Sequence, residues 1–144
     1  MKIRAATIKD LTRIFEIRTG VKENHLSMIQ LEELGITPQA VSMLIEQSDA
    51  VWVVEIANQV EGFAMVDLQE ACVFAAFVRD ECMGQGLGQA LMQRVESILF
   101  KKHSVIWLET AKSSRAFTFY QRQGWQQVGD VVHGDVRMEK RRFA

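Results

Sequence analysis

One segment, residues 72 to 88, constrains this chain more than any other. It opens with an apolar run, residues 72 to 78, that has the length and composition of a buried strand. A short polar stretch follows, and an amphipathic helical pattern comes after it. The turn before that helix contains three closely spaced glycines, Gly84, Gly86 and Gly88. Glycines let the backbone approach a ligand, and free N–H groups at a helix start attract negative charge. The segment therefore predicts an anion site.

Length and charge limit the classes of function. The chain has 144 residues, which predicts a single domain over residues 1 to 144 with a substantial core. Its composition is 48% hydrophobic and 24% charged, with a formal net charge of −1. Basic residues are scattered, and only residues 140 to 142 form a basic cluster. The small net charge and the scattered basic residues argue against a nucleic-acid partner.

The cysteines and histidines predict neither disulfides nor a metal site. Cys72 and Cys82 lack the spacing of a metal-binding pair, so we expect reduced thiols. The three histidines, His25, His103 and His133, share no ligand spacing. The first residues form no apolar leader, and no run is long enough to span a bilayer. We therefore expect a cytoplasmic protein with no membrane partner.

The first half of the chain predicts one strand, two helices and three further strands. Residues 2 to 6 alternate as a strand, and Thr7 with Asp10 then marks a helix start. On that helix Leu11, Ile14, Phe15 and Arg18 share one face. Residues 20 to 35 are polar to mixed and receive no element. Thr37 and Pro38 start the second helix. Residues 51 to 56, 60 to 68 and 72 to 78 follow as strands with short connections, and hence antiparallel.

The second half predicts a crossover and a final hairpin. The helix after the glycines runs to about residue 100, and residues 105 to 109 form a strand parallel to residues 72 to 78. A shorter helix follows over residues 113 to 123, with Ser113 as N-cap and Gly124 as its stop. Residues 126 to 132 and 135 to 140 form two strands around His133 and Gly134. The predicted order is β-α-α-β-β-β-α-β-α-β-β, a mixed α/β sheet.

Two familiar phosphate-binding motifs do not match the glycine turn. A P-loop needs Lys followed by Ser or Thr after its last glycine, whereas Gly88 is followed by Gln89 and Ala90. A dinucleotide fingerprint needs a third glycine or alanine where this chain has Gln89 or Leu91. A glycine-rich turn that only closes a tight strand-to-helix connection stays open as an alternative.

A third motif does match. Residues 83 to 91 resemble the acyl-CoA signature of the GCN5-related N-acetyltransferases (GNAT superfamily), Q/R-x-x-G-x-G/A, with Gly86 and Gly88 at its glycine positions. Met83 departs from the usual Gln or Arg. Residues 113 to 125 resemble the later pattern N-x-x-A-x-x-x-Y-x-x-x-G-F/W. Four residues of this pattern match, Ala116, Tyr120, Gly124 and Trp125, whereas Ser113 replaces Asn.

The resemblance implies a fold and an activity. The fold is an α/β (α+β) single domain with a mixed, mostly antiparallel twisted sheet and a β-α-β acyl-CoA-binding core. The activity is transfer of an acetyl or other short acyl group from acetyl-CoA to a primary amine of a small molecule or protein. A non-catalytic acyl-CoA-binding sensor or interaction module is the alternative, and a homodimer is left open.

The resemblance also implies roles for individual residues. Backbone groups of Phe77 and Val78 pair with the pantetheine arm in a gap between splayed strands. The remaining residues assigned to the cofactor are Met83, Gly84, Gln85, Gly86, Leu87, Gly88, Gln89, Ser113 and Ala116. Tyr120 is the donor to the departing thiolate. Its alternative is a core aromatic residue with a satisfied hydroxyl.

The general base and the acceptor are the least defined parts of the site. Glu109 is the predicted catalytic base and Glu70 a second candidate, although each also fits a surface carboxylate. Acceptor specificity is expected in residues 20 to 48 and in the last hairpin. In the first of these segments Glu23, Asn24, His25 and Glu32 either face a cationic amine or form a solvated surface.

Overall fold

One open sheet organises the protein, whose structure, a computed structural model, describes residues 1 to 142. The strands are β1 (Lys2–Ala5), β2 (Val51–Ile56), β3 (Gln59–Asp67), β4 (Cys72–Val78), β5 (Val105–Ala111), β6 (Gln126–Asp130) and β7 (Asp135–Arg141). They lie in the order β1-β2-β3-β4-β5-β7-β6. All neighbours are antiparallel except β4 and β5, which are parallel. The predicted fold class and the predicted β4–β5 crossover are confirmed.

Helices cover both faces of the sheet. They are α1 (Leu11–Gly20), α2 (Met28–Glu33), α3 (Pro38–Gln47), α4 (Leu87–Leu99) and α5 (Arg115–Arg122). One core holds Leu91 and Val95 of α4 with Leu108 of β5 and Tyr120 of α5. The other core packs side chains of α1, α2 and α3 on β2 and β3. No helix within residues 1 to 142 is long and apolar enough to cross a membrane.

Local capping explains where the first helices begin. As predicted, Thr37 caps α3, because its hydroxyl accepts from the Ala40 amide over 3.1 Å. Helix α2 lies within residues 20 to 35, for which no element is predicted from the sequence. Its start is a reciprocal cap, in which the Gln30 amide donates to the Ser27 hydroxyl over 3.2 Å and the Ser27 amide donates to the Gln30 side chain over 2.8 Å. The Ser-x-x-Gln pattern carries that information in the sequence.

Candidate active site

The parallel strands β4 and β5 meet at one end and separate at the other. Cys72 pairs with Trp107, whose amide donates to the Ala71 carbonyl over 3.0 Å. Beyond that pair, the described residues show no further pairing between the two strands, although β4 stays paired with β3 as far as Val78. The edge of β4 at Phe77 and Val78 therefore faces a gap that can accept a strand-like ligand.

A β-bulge lies in β4 where the strands separate. Met65 of β3 is opposite Ala75, and the next residue, Val66, is opposite Val73, so Phe74 is the extra residue. A bulge bends its strand and increases the local twist, which turns β4 away from β5. The Phe74 side chain remains 42% exposed. The gap thus has a cause in the backbone of β4.

The glycine turn lies between the end of β4 and the start of α4. Gly84 and Gly86 have φ angles of +79° and +84°, left-handed values that favour glycine. Gly86 is the N-cap of α4 and has no side chain to cap the helix. The first N–H groups of this 13-residue helix therefore open onto an exposed turn, as an anion site requires.

Gly88 joins the turn to both neighbouring elements. A side-chain Cβ at Gly88 would lie 3.5 Å from the Phe119 ring and 4.0 Å from the Val78 side chain. Gly88 therefore marks the place where the first turn of α4 packs against the end of β4 and the middle of α5. Leu87 beside it is buried in the core, whereas Gln85 and Gln89 are exposed. The structure brings the predicted turn residues and Val78 together.

A guanidinium lies against the residue that departs from the motif. Met83 is 43% exposed, and its sulfur lies 3.3 Å from Nη2 of Arg115. Arg115 is the first residue of α5 and its side chain is 68% exposed. The Arg115 guanidinium therefore lies at the corner of the turn even though Met83 carries no charge, and its Nε is 3.7 Å from a carboxylate oxygen of Glu23.

Helix α5 begins one residue later than predicted, so the assignment of Ser113 as its N-cap was wrong. Ser114 is the N-cap, because its hydroxyl accepts from the Phe117 amide over 3.1 Å and donates to the Ala111 carbonyl over 2.7 Å. Two adjacent serines made the choice ambiguous in the sequence. Ser113 is instead exposed and lines a surface pocket of about 470 Å³ beside the turn between β6 and β7.

The loop of residues 21 to 27 reaches from α1 to both sides of the gap. Its Lys22 amide donates to the Asp80 carboxylate over 3.1 Å, next to the glycine turn. The Glu23 carboxylate accepts from the backbone amides of Arg115, over 3.1 Å, and Ala116, over 3.4 Å. Glu23 is thus engaged with α5, and the idea that it faces a cationic amine receives no support from this arrangement.

The Tyr120 ring is buried, yet within residues 1 to 142 its hydroxyl has no hydrogen-bond partner. The side chain is 8% exposed and its ring packs against Phe119 and Trp125 at centroid distances of 5.5 and 6.1 Å. Burial, and secondarily the charge of Glu96, raises the pKa of Tyr120 to about 12. Within the described residues the hydroxyl makes no hydrogen bond, while every fully buried side-chain polar atom there has one. The hydroxyl therefore reaches solvent and is free to donate, unlike that of a satisfied core tyrosine.

Glu109 lies on the other face of β5. Leu108 points into the core with Tyr120, so the alternation along the strand puts Trp107 and Glu109 on the side of α1 and α3. Glu109 is exposed and its strand partner is Arg137. Glu70 precedes β4 and lies at the end farthest from the glycine turn. Among residues 1 to 142, no group of His, Cys, Asp and Glu is arranged to hold a metal ion.

Two charged residues near the gap were not predicted from the sequence as site residues. Glu61 is 6% exposed and binds Arg79 over 2.6 Å and the Cys82 thiol over 2.9 Å, which fixes the segment that leads into the glycine turn. Arg18 is also 6% exposed and stacks on Phe77. In the sequence both can be noticed for the same reason, because each is a charged residue within an apolar strand or on an apolar helix face.

Comparison with solved structures gives the same fold over nearly the whole chain. PaiA N-acetyltransferase from Thermoplasma acidophilum, in complex with coenzyme A, has a TM-score of 0.83 at 19% identity, covering 98% of each chain. Ribosomal-protein-alanine N-acetyltransferase from Brucella melitensis has a TM-score of 0.74 at 21% identity, covering 99% of this chain and 100% of that one. Rv2747 from Mycobacterium tuberculosis, in complex with CoA and NLQ, has a TM-score of 0.71 at 15% identity, covering 99% and 100%.

Sequence comparison identifies the family. No curated protein sequence matches this chain significantly. The model of the acetyltransferase (GNAT) domain matches residues 23 to 138, which include both the glycine turn and the segment with Tyr120. The chain belongs to the GNAT acetyltransferase family.

Proposed function

We propose that this protein transfers an acetyl group from acetyl-CoA to a primary amine. The observation that carries the proposal is the gap between β4 and β5, which opens beside a glycine turn at the start of α4. Membership of the GNAT family supports it, as do the solved structures of like fold that hold coenzyme A.

The glycine turn fits a pyrophosphate. Gly84 and Gly86 would bring the backbone close to it, and the open N–H groups of Leu87, Gly88 and Gln89 would donate to its oxygens. Arg115 would add positive charge at the Met83 corner. Phe77 and Val78 would pair with the amide groups of pantetheine in the place of a missing strand. Ala116, in the first turn of α5, would lie beside that path, whereas Ser113 lines the pocket beside the turn between β6 and β7.

The reaction replaces a C–S bond by a C–N bond. The neutral amine attacks the thioester carbonyl carbon, and the sulfur leaves with the electron pair of the C–S bond. The nitrogen loses one proton, and the thiolate gains one, so protons balance. The protein must hold both groups in the gap and stabilise the negative charge that develops on oxygen and sulfur.

Tyr120 would stabilise the thiolate as a hydrogen-bond donor. Its pKa of about 12 keeps the phenol protonated at neutral pH. An ordinary thiol has a pKa near 8.5, so complete proton transfer from this phenol to the thiolate would cost about 5 kcal/mol. A donated hydrogen bond gives the stabilisation without that cost, and the thiolate then takes its proton from water or from the acylated nitrogen.

Glu109 remains the proposed base. It lies on the face of β5 opposite Tyr120, so an amine arriving from the side of α1 and α3 would meet Glu109, while the sulfur would meet Tyr120. The amine has to add to one face of the planar thioester carbonyl, so direct transfer needs the amine and its base on the side that the bound thioester leaves open. Glu70, at the far end of β4, is less well placed for this role.

The test separates an enzyme from a non-catalytic acyl-CoA-binding module. Calorimetry measures binding of CoA, and thiol release from acetyl-CoA is followed with a panel of primary amines, for wild type and Tyr120→Phe. Amine-dependent release that falls in the variant, with CoA affinity retained, supports the proposal. Tight CoA binding with no amine-dependent release would identify a sensor, and preferential binding of NAD(H) or ATP would overturn the cofactor assignment.

A further inference from the structure

Arg18 occupies a position that an apolar residue normally fills. It shares one face of α1 with Ile14 and Phe15, and its side chain is buried to the same extent as theirs, with 6% of the residue exposed. Removing a charge from water is costly unless partners replace the water. A buried arginine on this face therefore requires an explanation.

The protein gives Arg18 few partners. Nη1 donates to the Asn24 carbonyl over 3.1 Å, and the guanidinium lies 4.1 Å from the centre of the Phe77 ring. No carboxylate of the described residues is within 4.0 Å of it, whereas Arg13 of the same helix pairs with Glu61 and Arg4 of β1 pairs with Asp10. Burial lowers the pKa of the Arg18 guanidinium from its ordinary value.

Two of its nitrogens are free and accessible. A guanidinium has five N–H donors, and within residues 1 to 142 only Nη1 of Arg18 has a hydrogen-bond acceptor. Every fully buried side-chain nitrogen or oxygen of those residues has a partner. Nε and Nη2 of Arg18 therefore keep contact with solvent. A cation that is nine-tenths buried thus keeps unused donors in contact with solvent.

These donors lie on the side of the sheet from which an acceptor would arrive. Phe77 belongs to β4, and its ring packs on Phe63 in the core beneath α1. The face carrying α4, α5 and Tyr120 is the opposite one. Arg18 also holds the carbonyl of Asn24 in the loop of residues 21 to 27, which extends to both sides of the gap.

We propose that Arg18 binds a carboxylate of the acceptor, so that the acceptor is an amine that also carries a carboxylate, as a free amino acid does. The inference rests on the proposed function and names its substrate class. A carboxylate would supply the missing counter-ion and accept from Nε and Nη2 together, a pairing that suits the planar guanidinium. A polyamine would instead place further positive charge beside a buried cation.

The experiment compares acceptors that differ only at the carboxylate. Glycine, L-alanine, L-leucine and L-glutamate are each paired with the corresponding α-carboxamide, and kcat/KM for thiol release from acetyl-CoA is measured. The proteins are wild type, Arg18→Met, Arg18→Lys and Arg94→Met. Arg94 is the matched control, because it also stacks on an aromatic ring, at 4.9 Å from that of Trp52, but is exposed and packed on another strand.

The proposal expects wild type to prefer at least one carboxylate over its carboxamide by about 10- to 100-fold, as for a charge-assisted hydrogen-bonded pair. Arg18→Met removes that preference by lowering kcat/KM for the carboxylate alone, and Arg18→Lys restores it in part. Arg94→Met leaves it intact. CoA affinity is the same in all four proteins, because Arg18 contacts the ring of Phe77, whereas pantetheine would pair with the Phe77 backbone.

Three results would overturn the proposal. One is equal kcat/KM for both members of every pair in wild type. Another is a fall for both members alike in Arg18→Met, which would assign Arg18 only to holding the Asn24 loop. The third is a preference for diamines. If CoA binds but no amine is acetylated, the proposed reaction fails, and the same pairs of compounds are then titrated into the CoA complex by calorimetry. Selective binding of the carboxylates would still support the role of Arg18, and equal binding of both members of every pair would overturn it.

Discussion

The carboxylate of Glu23 accepts hydrogen bonds from the backbone amide of Arg115, over 3.1 Å and 3.3 Å to its two oxygens. The two residues belong to segments 92 positions apart in the sequence. Glu23 thereby satisfies N–H groups at the start of α5 that have no partner within the helix. The contact connects the loop after α1 to α5, on the far side of the gap in the sheet.

Replacing Glu23 by Ala should loosen residues 21 to 27. The lost contact is a partly exposed charge at a helix N-terminus, so the free energy of unfolding should fall by only about 0.5–1 kcal/mol. Backbone amides of the loop should exchange faster with deuterium, while those of α4 stay protected. Glu32→Ala, an exposed glutamate of α2, is the control. Equal exchange in the loop of Glu23→Ala and wild type would show that other contacts hold it.

Tyr120→Phe should separate catalysis from stability. The hydroxyl has no hydrogen-bond partner within the described residues, so the free energy of unfolding should change by less than about 0.5 kcal/mol. Loss of a donor to the thiolate should lower kcat by about 10- to 100-fold, with CoA affinity unchanged. Since the pKa of Tyr120 is about 12, kcat of wild type should show no loss from phenol ionisation between pH 7 and about pH 10. A large loss of stability would instead assign the hydroxyl to the core.

Gly86→Ala should weaken CoA binding through the backbone. Gly86 has a φ of +84°, and a Cβ there would meet no atom within 4 Å, so conformation rather than space requires glycine. An alanine in this region costs about 1–2 kcal/mol. Calorimetry should therefore show lower affinity for CoA as the turn relaxes. In Gly129→Ala, where a Cβ is equally free and φ is not positive, affinity should stay that of wild type. Equal affinities of both variants would mean that the turn does not bind the pyrophosphate.

Arg115→Met should weaken CoA binding by removing charge. The guanidinium is exposed beside Met83, so its contribution to phosphate binding should be a few-fold in Kd and should shrink as salt is raised. Arg122→Met, at the other end of α5, is the matched control and should bind CoA as wild type does. A salt-independent effect of Arg115→Met would point to packing instead of charge.

Most of the fold could be predicted from short-range sequence patterns. The apolar run of β4, the glycines before α4 and the spacing of Leu91 and Val95 each act within a few residues, and each predicted element is present. The unassigned helix α2 has its own local pattern, Ser27 with Gln30. The gap between β4 and β5 was implied only by the family resemblance. The residues of β4 do not predict it, because the bulge at Phe74 depends on how β4 pairs with β3.

The contacts that the sequence did not predict are long-range. Glu61 meets Arg79 and Cys82 because a bulge in β3 leaves it without a strand partner opposite Val54 and Glu55 of β2. A single sequence shows Glu61 only as a charge within an apolar strand. Arg18 appeared likewise as a cation on an apolar helix face, and its ring partner lies 59 positions away, which no local rule connects.

Stability should fall in acid partly through Glu61. Burial by itself would raise the pKa of this carboxyl, but hydrogen bonds from Cys82 and Arg79 and the charges of Arg79 and Arg13 outweigh burial and lower the pKa. A carboxyl whose folded pKa is lowered contributes stability above its unfolded pKa, about 4.3, and loses it as pH falls through the folded pKa. Glu61→Gln should therefore cost about 1–3 kcal/mol at pH 7 and much less near pH 3.

Urea unfolding at pH 7, 5, 4 and 3 measures the difference between Glu61→Gln and wild type. Glu16→Gln is the matched control, because Glu16 also contacts Arg13 but its side chain is 58% exposed, and its substitution should change stability little at any pH. CoA affinity of Glu61→Gln should also drop, since Glu61 fixes Arg79 and Cys82 just before the glycine turn. A stability difference that is constant from pH 7 to pH 3 would show that the charge of Glu61 contributes nothing.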